Sequence, residues 1–320
     1  MKKIAALLFI LMLVTAGCAN GSNKQKSGSS EKLSIYTSIY PLQYLTEKIG
    51  GDAVSVQSVY PPGVDAHTFE PTSKTITDIA KSDAFIYMGA GMEGFAETTA
   101  DALKNQDTKM VEIAKNDSLF IEAKFPHDHE HGDGDHEAHE EHGHDEHGDK
   151  DPHVWLDPLK MVTMGEQIQK ELSALDPKHK ADFEKNFQAL KENMTALDKE
   201  FKETLKGKKQ HHILVSHAAY GYWERYGIEQ LPIRGISTSD EPSQKDLAKI
   251  TRLAEKDHLK YVIYEKNEPD KLADIIKKHI HAKTLEIHNL EVLTDQDMKQ
   301  NKDYLALMKE NLKVLDQATK

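Results

Sequence analysis

One cysteine, Cys18, stands in the whole chain of 320 residues, so no internal disulfide can brace the fold. Beyond the first eighteen residues no apolar run is long enough to cross a bilayer. No basic stripe and no aromatic platform accompany the formal charge of -12, which excludes nucleic acid as a partner. A phosphate loop, a dinucleotide fingerprint, a nucleophile elbow and an HExxH helix are all absent from the sequence. With none of these patterns present, the chain is expected not to be an enzyme.

What is present begins with an export signal over residues 1–17. Lys2 and Lys3 precede an apolar run from Ile4 to Val14, too short to span a membrane, and small residues lead into Cys18. That grammar predicts lipidation at Cys18 and a protein held on the outer face of the cell membrane. Residues 18–32 are rich in Ser, Gly, Asn and Lys, the composition of a flexible tether.

The acidity is local. Between His127 and Asp151 stand eleven Asp or Glu against a single Lys, and the rest of the chain is close to balanced. The same stretch carries His127, His129, His131, His136, His139, His142, His144 and His147. A segment built from His, Asp, Glu and Gly cannot bury a core, so residues 127–150 are read as a disordered insertion that binds transition metals weakly.

Strand and helix patterns alternate on both sides of it. Leu33 to Thr37, Val54 to Tyr60 and Ala84 to Met88 read as strands, with helices at Pro41 to Ile49 and Ser73 to Lys81 between them. A long helix is expected over residues 177–206, with Phe183, Phe187, Leu190, Met194, Leu197, Phe201 and Leu205 on one buried stripe and Gly207 ending it. Beyond it, strands at Ile213 to Ser216, Gln230 to Ile233, Tyr261 to Tyr264 and Lys283 to Ile287 alternate with helices from near Ala218, Ser243 to Glu255, Asp270 to His279 and Asp303 to Asp316. The expected class is α/β: two similar lobes, 33–176 and 207–320, each a mainly parallel sheet flanked by helices, joined by the long linking helix.

In such sheets ligands bind beyond the carboxyl ends of the strands. His67, His153, His217 and Glu265 fall at those places. Three imidazoles and a carboxylate suit Zn2+, whereas Ca2+ and Mg2+ prefer oxygen and Mn2+ favours a second carboxylate. Four protein ligands leave no open position for hydrolytic water. The fourth place is left to Glu265, to Asp240 or to water, with Asp240 alternatively an acceptor behind a ligand imidazole. His179, His211, His212, His258, His279, His281 and His288 are read as surface residues.

Four segments carry a family resemblance: His67-Thr68-Phe69-Glu70-Pro71-Thr72, Asp151-Pro152-His153-Val154-Trp155-Leu156-Asp157-Pro158, Ser216-His217-Ala218-Ala219-Tyr220-Gly221-Tyr222, and Tyr264-Glu265. The chain resembles the metal-binding solute-binding proteins of bacterial ABC transporters, in particular the zinc-uptake receptors. The resemblance implies metal held between two lobes by His67, His153, His217 and Glu265, and delivery to an ABC permease and its ATPase by a monomeric receptor. Manganese members usually carry Glu at the position of His217 and Asp at that of Glu265, so His217 favours zinc. A manganese or iron receptor that also serves as an adhesin is the alternative within the same family.

Overall fold

The computed structural model describes residues 32–123, 150–266 and 270–320, so Cys18 and all eight histidines of the acidic segment lie outside them. Two four-stranded sheets organise the rest, and they share one topology. In the first, β1 (Leu33–Thr37), β2 (Val54–Ser58), β3 (Ala84–Tyr87) and β4 (Lys109–Glu112) lie in the order β2-β1-β3-β4. In the second, β5 (His212–Val215), β6 (Glu229–Pro232), β7 (Tyr261–Glu265) and β8 (Lys283–Ile287) lie in the order β6-β5-β7-β8. Every pairing within them is parallel. In parallel sheets covered on both faces, the central strands become continuous apolar runs, as in the fully buried Ala84-Phe85-Ile86-Tyr87 of β3.

The crossovers of the first sheet run through α1 (Tyr40–Gly50), α2 (Ser73–Ile79) and α3 (Ala96–Leu103). Pro41 sits in the first turn of α1, and the Thr72 hydroxyl caps α2 by accepting from Thr75 N–H. Two helices then run side by side, α4 (Pro158–Leu175) and α5 (Lys180–Leu205). Asp157 caps α4 through Leu159 N–H at 2.7 Å, with Pro158 in the first turn. α5 starts three residues later than the sequence pattern suggests, because Asp176 caps a separate 3-10 turn at Pro177–His179. Its 26 residues span about 39 Å. The stripe from Phe183 to Leu205 is buried as expected, apart from the half-buried Phe187, and α5 packs on α1 and α4 as well as on the last helix, α9 (Tyr304–Ala318).

α6 (Gln244–Lys256), α7 (Lys271–His279) and the short α8 (Asp295–Lys299) complete the second half. Ser243 and Asp246 form a reciprocal capping box on α6, and Thr294 and Asp297 form another on α8. The helix expected from Ala218 does not form. Ala218 N–H donates to Gly235 C=O and Tyr220 N–H to the Gln230 side chain, so these amides are committed elsewhere, and only a 3-10 segment, Gly221–Tyr226, follows.

The apolar interior is not divided between the sheets. One buried cluster runs from Ile35 and Phe85 through Trp155, Phe201 and Trp223 to Ile263 and Tyr304, and a smaller one with Leu214, Ile250 and Val262 fills the far face of the second sheet. Accordingly the described residues form a single compact unit by their internal contacts. The two sheets are therefore held by shared packing between them, and their carboxyl ends bound one enclosed region.

Candidate metal centre

Four side chains from four loops meet there. His67 comes from the segment after β2, His153 opens a 3-10 turn before α4, His217 follows β5, and Glu291 lies beyond β8. One ligand-capable atom of each lies within 4.8 Å of all the others. Nε2 of His153 and His217 are 3.4 Å apart, and Glu291 Oε1 stands 3.6 Å from His67 Nε2, 3.6 Å from His153 Nε2 and 3.9 Å from His217 Nε2. Four donors around Zn2+ at 2.0–2.2 Å would be about 3.3–3.6 Å apart, and the separations of 3.4–3.9 Å found here are close to that spacing.

Burial sharpens the chemistry. His153, His217 and Glu291 are almost fully enclosed, and the His67 side chain is only 5% exposed. Among the described residues, His67 Nε2 and Glu291 Oε1 have no hydrogen-bond partner, an arrangement that is costly unless something else coordinates them. Behind the cluster, Asp151 Oδ1 receives His153 Nδ1 at 2.8 Å, and Glu265 Oε1 abuts His217 Nδ1. A carboxylate at Nδ1 keeps the proton on that nitrogen and turns the Nε2 lone pair toward the centre. Gly221 leaves room for this: a Cβ there would sit 2.8 Å from Asp151 Oδ2.

Glu265 is thus corrected from its expected place. It is buried rather than solvated, it supports His217 from behind, and its Oε2 accepts from Asn289 Nδ2 at 2.8 Å. The carboxylate that reaches the cluster is Glu291, which the sequence reading missed. The loop after β8 is built to present it. His288 N–H donates to Asn311 Oδ1, Asn311 Nδ2 returns a bond to His288 C=O, and Leu290, fully buried, is held at φ 63°. Leu290 N–H donates to His288 Nδ1 and Glu291 N–H to Asn289 Oδ1. His288, expected at the surface, is therefore a buried brace, with Nε2 3.1 Å from Asp297 Oδ2. Asp240 lies outside the cluster: it is exposed, and its Oδ2 accepts from Ser237 N–H. Gly235 permits that turn, since a Cβ there would lie 2.5 Å from the same oxygen.

The electrostatics favour a cation. Burial lowers the basicity of His67, His153 and His217, but the facing carboxylates, Glu291, Asp151 and Glu265, outweigh it and raise all three above the ordinary imidazole value. Burial pushes Glu291 up, and the three imidazoles more than reverse this, holding it well below the usual carboxylate range. Metal needs neutral rings, so protons compete with it below those raised values. Zinc affinity should therefore be highest at and above neutral pH and fall as pH drops through the raised imidazole range, by about tenfold or more per pH unit where at least one proton is displaced. Titrating metal-free protein with Zn2+ between pH 7.5 and 5.5 checks the sign; an affinity flat over that range would contradict it.

The family described as ZnuA, zinc-uptake complex component A, periplasmic, matches residues 35–318. The "Zinc-binding lipoprotein AdcA" of Streptococcus pneumoniae serotype 4 is 36% identical over 323 residues, and the chain spans 61% of that relative's length. The "High-affinity zinc uptake system protein ZnuA" of Bacillus subtilis (strain 168) is 32% identical over 318 residues, covering 98% of this chain and 97% of the relative. The crystal structure of the Zn(II)-bound ZnuA-like domain of Streptococcus pneumoniae AdcA superposes with a TM-score of 0.72 at 32% identity, over 90% of this chain and 99% of that one. A family match over nearly all the described residues, with a zinc-bound structural relative of the same two-sheet build, places the chain in the ZnuA family.

Proposed function

We propose that this chain is an extracytoplasmic receptor that captures one Zn2+ ion at His67, His153, His217 and Glu291 and delivers it to an ABC permease driven by its ATPase. The observation that carries this reading is the enclosed set of three imidazole nitrogens and one carboxylate oxygen, with Glu291 Oε1 3.6–3.9 Å from all three Nε2 atoms. Three nitrogens and a single carboxylate suit zinc better than manganese or calcium. Four protein ligands also close the shell, so the bound ion is cargo and activates no water. The names of the zinc-binding relatives support the same substrate. We further propose that Cys18 carries a lipid anchor, that the protein acts as a monomer on the outer face of the membrane, and that it catalyses no reaction.

Titration of metal-free protein lacking the signal and tether tests the central claim. One tight Zn2+ per chain is expected, retained against about a hundredfold excess of Mn2+, since divalent zinc outranks manganese at nitrogen donors. Tight binding of Mn2+, or easy displacement of zinc by it, would turn the reading toward a manganese receptor. Weaker zinc sites in the same titration, lost on deleting residues 127–150, are the expected contribution of the His-rich segment.

A further inference from the structure

Of the four clustered side chains, His67 is the most exposed, and it sits on a segment, residues 59–72, that contains neither helix nor strand. This segment is therefore the least enclosed side of the cluster. Asp65 grips it at both ends of one carboxylate. Oδ1 accepts from His67 N–H at 2.9 Å, and Oδ2 accepts from the Thr238 hydroxyl at 2.6 Å, across from the loop between β6 and α6. Further ties hold the segment in place: Gly63 N–H donates to Leu293 C=O at 3.0 Å, and the Tyr60 hydroxyl to Ala66 C=O at 3.0 Å.

The opposite loop is shaped to offer Thr238. Asp240 Oδ2 closes its turn on Ser237 N–H, Arg234 Nη1 donates to Thr238 C=O at 3.3 Å, and Arg234 Nε is anchored on the buried Asp270 at 3.2 Å. A hydroxyl donating to a carboxylate is a charge-assisted bond, stronger than a neutral one, and its partners here are half-buried.

From this geometry we infer that Asp65 and Thr238 form a latch across the mouth of the centre, and that this latch sets the rate at which zinc leaves. Asp65 is a positioning residue: it touches no metal, and acts by fixing the His67 backbone and by joining that segment to the second half of the molecule. The inference rests on the reading of His67 as a zinc ligand. Opening the latch would loosen the His67 segment, still tied through Gly63 and Tyr60, without disturbing His153, His217 or Glu291, whose supports lie elsewhere.

The test is the rate at which zinc-loaded protein gives up its ion to excess EDTA, followed by stopped flow, in wild type, Thr238→Val, Thr238→Ser and Asp65→Ala. Valine keeps the shape of threonine and removes the donor. Release from Thr238→Val is expected to be about tenfold faster, the effect of one lost hydrogen bond to a charged group. Serine restores the hydroxyl and should restore a rate within about twofold of wild type. The double variant with Asp65→Ala should release no faster than Asp65→Ala alone, as Asp65→Ala already removes the one bond that Thr238→Val breaks. An unchanged rate in Thr238→Val, or a serine variant as fast as the valine one, would overturn the latch. A wild-type protein with no tight zinc to release would instead overturn the receptor reading, and the latch with it.

Discussion

Replacing Glu291 by alanine is expected to weaken zinc binding by about 10²- to 10³-fold. Closed four-ligand zinc sites are held by about 10–16 kcal/mol in all, so each ligand carries roughly 3–4 kcal/mol, and each 1.4 kcal/mol is a factor of ten. His217→Ala should lose a similar amount. Glu265→Ala should lose less, about 10- to 100-fold, because Glu265 reaches zinc only through His217 and removing such a support costs affinity of that order. Isothermal titration of the three variants gives the ranking. If Glu265→Ala proved the more damaging by tenfold or more, the ligand role would return to Glu265. The same experiment repeated at two pH values has a second readout. Glu291 is the group that faces all three histidines and raises their basicity, so its loss should shift the fall of affinity to lower pH.

Much of this centre was legible before the fold was seen. Runs such as Leu33–Thr37 and Lys283–Ile287 are strands over the bounds their composition suggests, and the rule that ligands gather beyond strand ends picked out His67, His153 and His217 together. Glu265 satisfied that rule as a position but failed it as a direction. It is the last residue of β7, and side chains alternate along a strand, so its carboxylate points to the back of His217 rather than to Nε2. Glu291 was hidden for the opposite reason: it stands four residues past β8, and only the buried turn around Leu290 brings it back over the sheet ends. A signal was there, since the loop after β8 leaves the same edge as the others and Glu291 is its acidic residue. Period-based reading also missed β4 and α3. β4 is a four-residue edge strand with charged Lys109 and Glu112 at its ends, and α3 buries only Ala96, Thr99 and Leu103, too little apolar surface to leave a stripe. His288 shows the limit of composition alone, because nothing local distinguishes a buried histidine brace from an exposed one.

The turn that carries Glu291 and the turn that carries His153 meet at Trp155, so its loss should cost much stability. Its ring is fully buried in the shared core, its Nε1 donates to Asn289 C=O at 2.7 Å, and its own carbonyl accepts from the Tyr304 hydroxyl at 2.6 Å. Trp155→Ala should destabilise the protein by about 3–5 kcal/mol through the cavity it leaves. For a chain of this size that is a fall in Tm of roughly 10 °C, read by thermal denaturation of the metal-free protein. Trp155→Phe separates packing from the bond. It keeps most of the apolar volume but leaves Asn289 C=O without its donor, so a loss of about 1–3 kcal/mol is expected. Asn289 also holds Glu265 through Nδ2 and the Glu291 amide through Oδ1, so displacing it disturbs two carboxylates of the centre at once. Trp155→Phe should therefore bind zinc several-fold more weakly, with an aromatic ring still in place for the edge-on contact with the His153 ring, 5.3 Å between centroids. Full affinity in a destabilised Trp155→Phe protein would show that the two turns are positioned independently. Weakened affinity would make the link from Trp155 to Asn289 part of what holds the four ligands to one point.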